Sequence, residues 1–194
     1  MEIVELTPCG MVSRSCMRLV REAFRPMHGV VVHDVRLGHV KLEHDPELVP
    51  LAALLVALDR AGFPAKADKD TQLVEGIKSA CIELIHFAGN VSSLIRNSDY
   101  LSDKLGQPYD RLSKVFSQRT GITLERYIIL LKVEKVKLLI EGGEHSLSEV
   151  AWMLGYSSVQ YLSTQFKQIT GVTIGTFKEE PAKYRVPLEK LVNG

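Results

Sequence analysis

The stretches RLSKVFSQRTGIT (111–123) and YLSTQFKQITGVT (161–173) decide the fold, because they agree at seven of thirteen positions at an offset of 50. Upstream, Leu105-Gly106 and Leu154-Gly155 match at an offset of 49, so the second copy carries one extra turn residue. In each copy apolar residues recur at helical spacing on both sides of a glycine, which predicts helix, turn, helix. A two-unit helical solenoid is rejected: two units are too few for a stable array, and the intervening segment is not a third copy. Between the copies, Thr123–Ile140 meets no proline or glycine until Gly142-Gly143 and predicts one continuous helix. Its length of about 27 Å makes it a rod able to hold two recognition helices in successive major-groove segments, which lie ~34 Å apart.

Local signals sharpen the second copy. Ser146 with Glu149 three residues on is a capping box that sets the start of its first helix. Ser157 and Ser158 then place hydroxyls and free backbone N–H groups at the start of the next helix. That arrangement suits a phosphate and suits an ordinary cap equally. Trp152 and Tyr156 are expected in the core of this copy rather than as stacking platforms for bases.

Further upstream the pattern changes. Glu2–Leu6 reads as a strand, and Cys16, Leu19, Val20, Ala23, Phe24 and Met27 follow the spacing of a one-faced helix. Val30–Val35 and Val40–Leu42 are β-rich runs around Leu37-Gly38, a hairpin signal. Asp45-Pro46 offers a helix start, Leu51, Leu54, Leu55 and Leu58 a second stripe, Gly62 a helix stop, and Phe63–Ala65 a last short strand. The polar run AKADKD (65–70) then separates this region from another helix, with Leu73, Ile77, Cys81 and Leu84 on one face and an end near Gly89-Asn90. The predicted fold class is α+β. A ferredoxin-like βαββαβ sandwich spans 1–67, a connecting amphipathic helix 68–90, and an all-α domain 91–194 with two helix-turn-helix motifs joined by a long helix.

Composition removes several function classes. The chain has 194 residues, 24 basic against 23 acidic side chains, and 45% apolar residues, the balance of a soluble globular protein of one or two domains. Three cysteines are too few and odd in number for a disulfide scaffold, which points to a reducing cytoplasm. The start MEIVELTPCG does not read as a secretory signal, and no apolar run approaches the ~20 residues of a membrane span. No Gly-rich phosphate loop, HExxH or GxSxG occurs, so an enzyme is not expected. Net charge is only +1, yet residues 104–137 carry eight basic and three acidic side chains, a candidate phosphate-facing patch. Solvated helix faces explain that patch equally well.

Residues 98–178 resemble the paired helix-turn-helix domain of the AraC family of bacterial transcription regulators. The resemblance rests on Glu149-Val-Ala, Leu154-Gly155-Tyr156-Ser157, Phe166-Lys167, Thr170-Gly171 and Phe177-Lys178. Leu162, where an aromatic is usual, and Ile174, where proline usually follows the threonine, depart from it. It implies double-stranded DNA as partner, with Asp110, Arg111, Ser113 and Lys114 on the exposed face of the first recognition helix. Val159, Gln160, Ser163 and Thr164 form the equivalent face of the second, with Lys167 near the backbone. The chemistry agrees in part. Arg111 can take guanine O6/N7, Gln160 adenine N6/N7, and Val159 a thymine methyl. Lys114, Lys132 and Lys167 read as phosphate contacts, and Asp110 as a first-turn acid favoured by the helix dipole.

Residues 1–66 resemble a heavy-metal-associated domain of the copper-chaperone type. That family implies a GMxCxxC loop holding a soft ion, Cu(I) or Zn(II), between two thiolates. Here the loop is Gly10-Met11-Val12-Ser13-Arg14-Ser15-Cys16, with serine at the first cysteine position. A serine hydroxyl is hard and neutral and does not replace a thiolate for Cu(I). A Cys9–Cys16 site is the remaining metal candidate, and Cys16 as the packed start of the first helix is preferred over it. The expected function is a cytoplasmic sequence-specific DNA-binding transcription regulator whose N-terminal domain senses an effector or mediates assembly. A homodimer through helix 71–88 would cover its apolar stripe. The alternative function is a metal-ion carrier or buffer.

Overall fold

A computed structural model describes residues 1–65, 68–87 and 96–185 of the chain, which forms two compact units, Met1–Ser79 and Ala80–Gly194. In the first unit, β2 (Val30–Arg36) and β3 (His39–His44) form the hairpin expected around Leu37-Gly38. β1 (Glu2–Leu6) pairs antiparallel with the other edge of β3, giving a three-stranded sheet in the order β1-β3-β2. Val40, Leu42 and His44 of β3 alternate inward and are buried, the pattern of a sheet with one covered face. Helix α1 (Arg14–Phe24) packs on β2, and α2 (Leu51–Arg60) packs on α1, with Val20, Phe24, Leu54 and Leu58 fully buried.

Three expectations are corrected here. The fourth strand at Phe63–Ala65 reduces to an isolated bridge between Ala65 and Pro8, with the Cys9 N–H donating to the Pro64 carbonyl at 3.0 Å. Pro8 and Pro64 each lack the N–H that further ladder bonds would need. Helix α2 starts at Leu51 after Pro50 and not at Asp45-Pro46, where the Asp45 carboxylate instead accepts from the Glu47 N–H in a turn. Leu19, assigned to the buried stripe of α1, is 56% exposed.

Helix α3 (Lys69–Ile82) does not run on as one α-helix to the expected end at Gly89-Asn90, which lies outside the described residues. It gives way to a π-helical turn, Glu83–Phe87. Its early residues pack within the first unit. The Glu75 carboxylate accepts from the Gly10 N–H at 2.9 Å and pairs with Lys78 at 3.1 Å. Gly38 adopts φ +65, and a Cβ there would stand 2.6 Å from the Ser79 hydroxyl, so this turn needs glycine on both counts. Of the stripe Leu73, Ile77, Cys81 and Leu84, the last three are buried within the single chain and Leu73 is half-buried. Most of the stripe expected to call for a second chain is therefore already covered, and the argument for a dimer through 71–88 loses most of its premise.

The second unit is helical. α4 (Asn97–Leu105) and α5 (Tyr109–Thr120) form the first motif, and α7 (Leu147–Met153) and α8 (Val159–Thr170) form the second. They are joined by α6 (Leu124–Gly142), one unbroken helix as expected, about 28 Å long at its ~1.5 Å rise. α9 (Ile174–Glu179) and the short α10 (Pro181–Tyr184) follow.

Candidate nucleic-acid interface

The repeat seen in the sequence is reproduced in the bonds that close each recognition helix and start the next one. Thr120 and Thr170 each donate from the hydroxyl to the carbonyl four residues back, at 2.8 Å, at the C-terminus of their helices. Gly121 and Gly171 then close α5 and α8 in the left-handed conformation, at φ +76 and +78. Thr123 and Thr173 cap α6 and α9 by accepting from Arg126 and Thr176 N–H groups, both at 3.1 Å. Under each recognition helix an aromatic pair fills the core, Phe116 with Tyr127 at 5.1 Å and Phe166 with Phe177 at 5.6 Å. Leu162 is fully buried and Ile174 sits buried just inside the Thr173 cap, so both departures from the resemblance are absorbed by packing.

With Leu112 and Phe116 turned inward, Asp110, Arg111 and Lys114 form the exposed face of α5, with Ser113 half-buried beside them. The Arg111 guanidinium donates to the Gln107 side chain at 3.0 Å and is paired with no acid among the described residues. On α8 Gln160, Tyr161, Thr164, Lys167 and Gln168 are exposed, while Val159 and Ser163 are half-buried. Ser158 is the N-cap of α8, its hydroxyl oxygen accepting from the Tyr161 N–H at 3.1 Å, and Ser157 is exposed before it. That oxygen serves as an ordinary cap, and the hydroxyl proton stays free to donate. The capping box forms at Ser146: its N–H donates to the Glu149 carboxylate at 2.7 Å, which holds that carboxyl below its ordinary range.

Lys132 departs from the role assigned to it. Its ammonium lies 5.5 Å from the Tyr156 ring centroid in a cleft of about 240 Å³ between the motifs, lined also by Tyr109, Glu125 and Gln165. Burial lowers its pKa, and the Tyr156 hydroxyl donates to Gln165 at 2.8 Å beneath it. The expected burial of Tyr156 is partial, and Trp152 is not core at all, being 56% exposed on α7. Tyr161 was missed by sequence reasoning. It is 54% exposed, and the offset of 50 that maps it onto Arg111 was the signal that would have found it.

In the first unit Ser13 is the N-cap of α1. Its oxygen accepts from the Cys16 N–H at 3.3 Å and lies 3.2 Å from the Cys16 sulfur, while the Cys9 thiol faces the Thr7 carbonyl at 3.9 Å. A hydroxyl committed to a cap beside one thiol is a poor donor set for a soft ion. Among the described residues no three His, Cys, Asp or Glu side chains cluster as metal ligands do. The residues present do not fit the metal that the N-terminal resemblance implies.

Among the described residues no helix is long and apolar enough to cross a membrane. Residues 101–180 match the helix-turn-helix domain family. Eighty-three residues are 30% identical to the HTH-type transcriptional activator RhaS of Escherichia coli O1:K1 and to that of strain SMS-3-5. The match covers 43% of this chain but only 28% of those relatives. A DNA-binding transcriptional dual regulator from Escherichia coli K-12 superposes with a TM-score of 0.42 at 18% identity, over 61% of this chain and 96% of that one. The matched segment 101–180 contains both turns, both recognition helices and the whole of α6.

Proposed function

We propose that the chain is a sequence-specific DNA-binding transcription regulator in which α5 and α8 enter successive major-groove segments of one duplex. The observation that carries this reading is the duplicated motif, whose two outward faces present Arg111 and Lys114, then Gln160 and Thr164, on helices joined by the rod α6. Arginine and glutamine reach base edges bidentately, and Lys114 and Lys167 supply backbone charge. The domain match and the RhaS relatives support a DNA-binding role for 101–180. Metal carriage has nothing comparable in its favour, because Ser13 occupies a helix cap. We read the first unit as an interaction or ligand-sensing module, acting in the cytoplasm.

Selection from a randomised duplex pool tests the proposal. The expected result is enrichment of a two-part site whose halves lie about one helical turn apart. Recovery of an unenriched pool, or of a single half-site insensitive to changes in α8, overturns it.

A further inference from the structure

Helix α1 carries four of the eight basic residues found in positions 1–66 but only one of the eight acids there, Glu22. Arg14, Arg18, Arg21 and Arg25 recur at intervals of four, three and four residues. At 3.6 residues per turn those intervals hold all four within an arc of about 60°, over about 17 Å of helix. All four are exposed, and the opposite side of the helix holds the buried Val20 and Phe24. The result is a straight ridge of arginine along the outside of the first unit.

Two features set this ridge apart from an ordinary solvated face. The first is how its charge is met. On the sheet Arg36 pairs with Asp34 at 2.6 Å and Lys41 with Glu5 at 3.1 Å. On α1 Arg25 meets Glu22 at 3.1 Å, but Arg18 donates only to the neutral Ser15 hydroxyl at 3.2 Å. Arg21 is paired with no acid among the described residues. The second feature is Arg14, the first helical residue after the Ser13 cap. The helix dipole puts partial positive charge at that end and favours an acid there. The first turn of α1 has no acid and carries an arginine instead. Local stability does not call for a cation at this place, and a broken local rule of this kind is expected where a residue serves function.

We infer that the arginine ridge of α1 binds the phosphate backbone of duplex DNA, giving the first unit its own contact with DNA, independent of base sequence. The inference rests on the DNA-binding reading above and adds a partner surface on the unit that contains no helix-turn-helix. Duplex DNA carries one charge per ~1.7 Å of its axis, so a ridge of this length can lie against about ten of them. A guanidinium stays charged and takes two phosphate oxygens at once, which suits a row of arginines on a solvent-facing helix. A membrane surface would need an apolar face beside the cations. The apolar side of α1 is spent on the core, and Leu19 is its one exposed apolar residue.

Titration of the full chain with a labelled duplex of mixed sequence, from 50 to 200 mM salt, tests this. Each phosphate contact adds about 0.9 to the slope of log affinity against log salt. Arg18→Ala with Arg21→Ala should lower the slope by ~2, so that the advantage of wild type over the variant shrinks roughly tenfold across that range. Arg18→Lys with Arg21→Lys should keep the wild-type slope, and so should Arg36→Ala, whose arginine already pairs with Asp34. Both ridge positions are exposed, so the alanine variant should unfold in urea as wild type does, and a lost slope is then not a lost fold. If wild type binds and the alanine variant keeps the wild-type slope, the ridge does not touch DNA and the DNA-binding reading stands. An unchanged slope, with wild type but not the variant held on vesicles of phosphatidylserine and phosphatidylcholine, makes the ridge a membrane face and overturns the inference. If wild type binds no duplex at any salt, both fall.

Discussion

Gln160 stands exposed on the first turn of α8, two residues after the Ser158 cap that fixes where that turn begins. A glutamine placed this way pairs with adenine N6 and N7, and its loss is felt at one base pair. Gln160→Ala should cost ~1–3 kcal/mol at the preferred site and relax specificity at a single position, read by competition with single-base operator variants. An equal loss on every sequence would reassign Gln160 to the backbone. Ser13 makes a second prediction at this scale. Its hydroxyl caps α1 and lies 3.2 Å from the Cys16 sulfur, so Ser13→Cys places a second thiol beside the first. Competition with a chromogenic Cu(I) chelator should show the variant holding Cu(I) several orders of magnitude more tightly than wild type. Retention of one ion by wild type, lost on Cys9→Ala or Cys16→Ala, would restore the metal site. These residue-scale roles were visible in the sequence because capping boxes, glycine stops and a serine in place of cysteine act within a few positions of themselves. Tyr161, Trp152 and Lys132 were not, because exposure depends on what the rest of the fold brings near.

Within α6 the buried Lys137 ammonium lies 2.6 Å from the Glu134 carboxylate and 3.4 Å from the Tyr184 carbonyl of α10. Removing one partner strands a charge in a place with little water. Glu134→Ala should therefore cost ~3–5 kcal/mol in urea unfolding, whereas an apolar pair such as Glu134→Leu with Lys137→Met should fall near wild type. The π-helical turn beside α6 carries the fourth prediction. Burial, helped by the nearby Lys135 ammonium and opposed by a bond to the Leu131 backbone, pushes the His86 pKa from 6.5 down to about 4. Its Nε2 is buried and has no hydrogen-bond partner among the described residues. Between those two values the unfolded chain binds the proton and the folded one does not, so stability is full above pH 6.5 and falls as pH drops toward 4. The loss should approach ~3 kcal/mol, and His86→Leu should remove this part of the slope. Sequence periodicity foresaw α5, α6, α8 and the hairpin to within a few residues. It could not foresee the π-helical turn, because an apolar stripe looks alike whether one residue is inserted into it or not.

Across the whole chain, the sharpest departure from expectation is the fate of the 71–88 stripe. Ile77 and Leu84 are buried without a second copy. Ile77→Glu or Leu84→Glu should then unfold the chain rather than release a folded monomer, since a buried unpaired carboxylate costs several kcal/mol. Circular dichroism with sedimentation separates the outcomes: a well-folded variant of half the wild-type mass would return the dimer.

The sequence by itself determined the paired motif, the capping box at Ser146, the rod between the copies and the residues offered outward on α5. All are local, set by spacings of one helical turn or by a repeat that states its own equivalences. Only the tertiary structure decided that Phe63–Ala65 stays a single bridge, that Lys132 lies over Tyr156 in the cleft between the motifs, and that Trp152 and Tyr161 stand exposed. Those depend on which surfaces meet across long stretches of chain, and burial, unlike periodicity, belongs to the partner as much as to the residue.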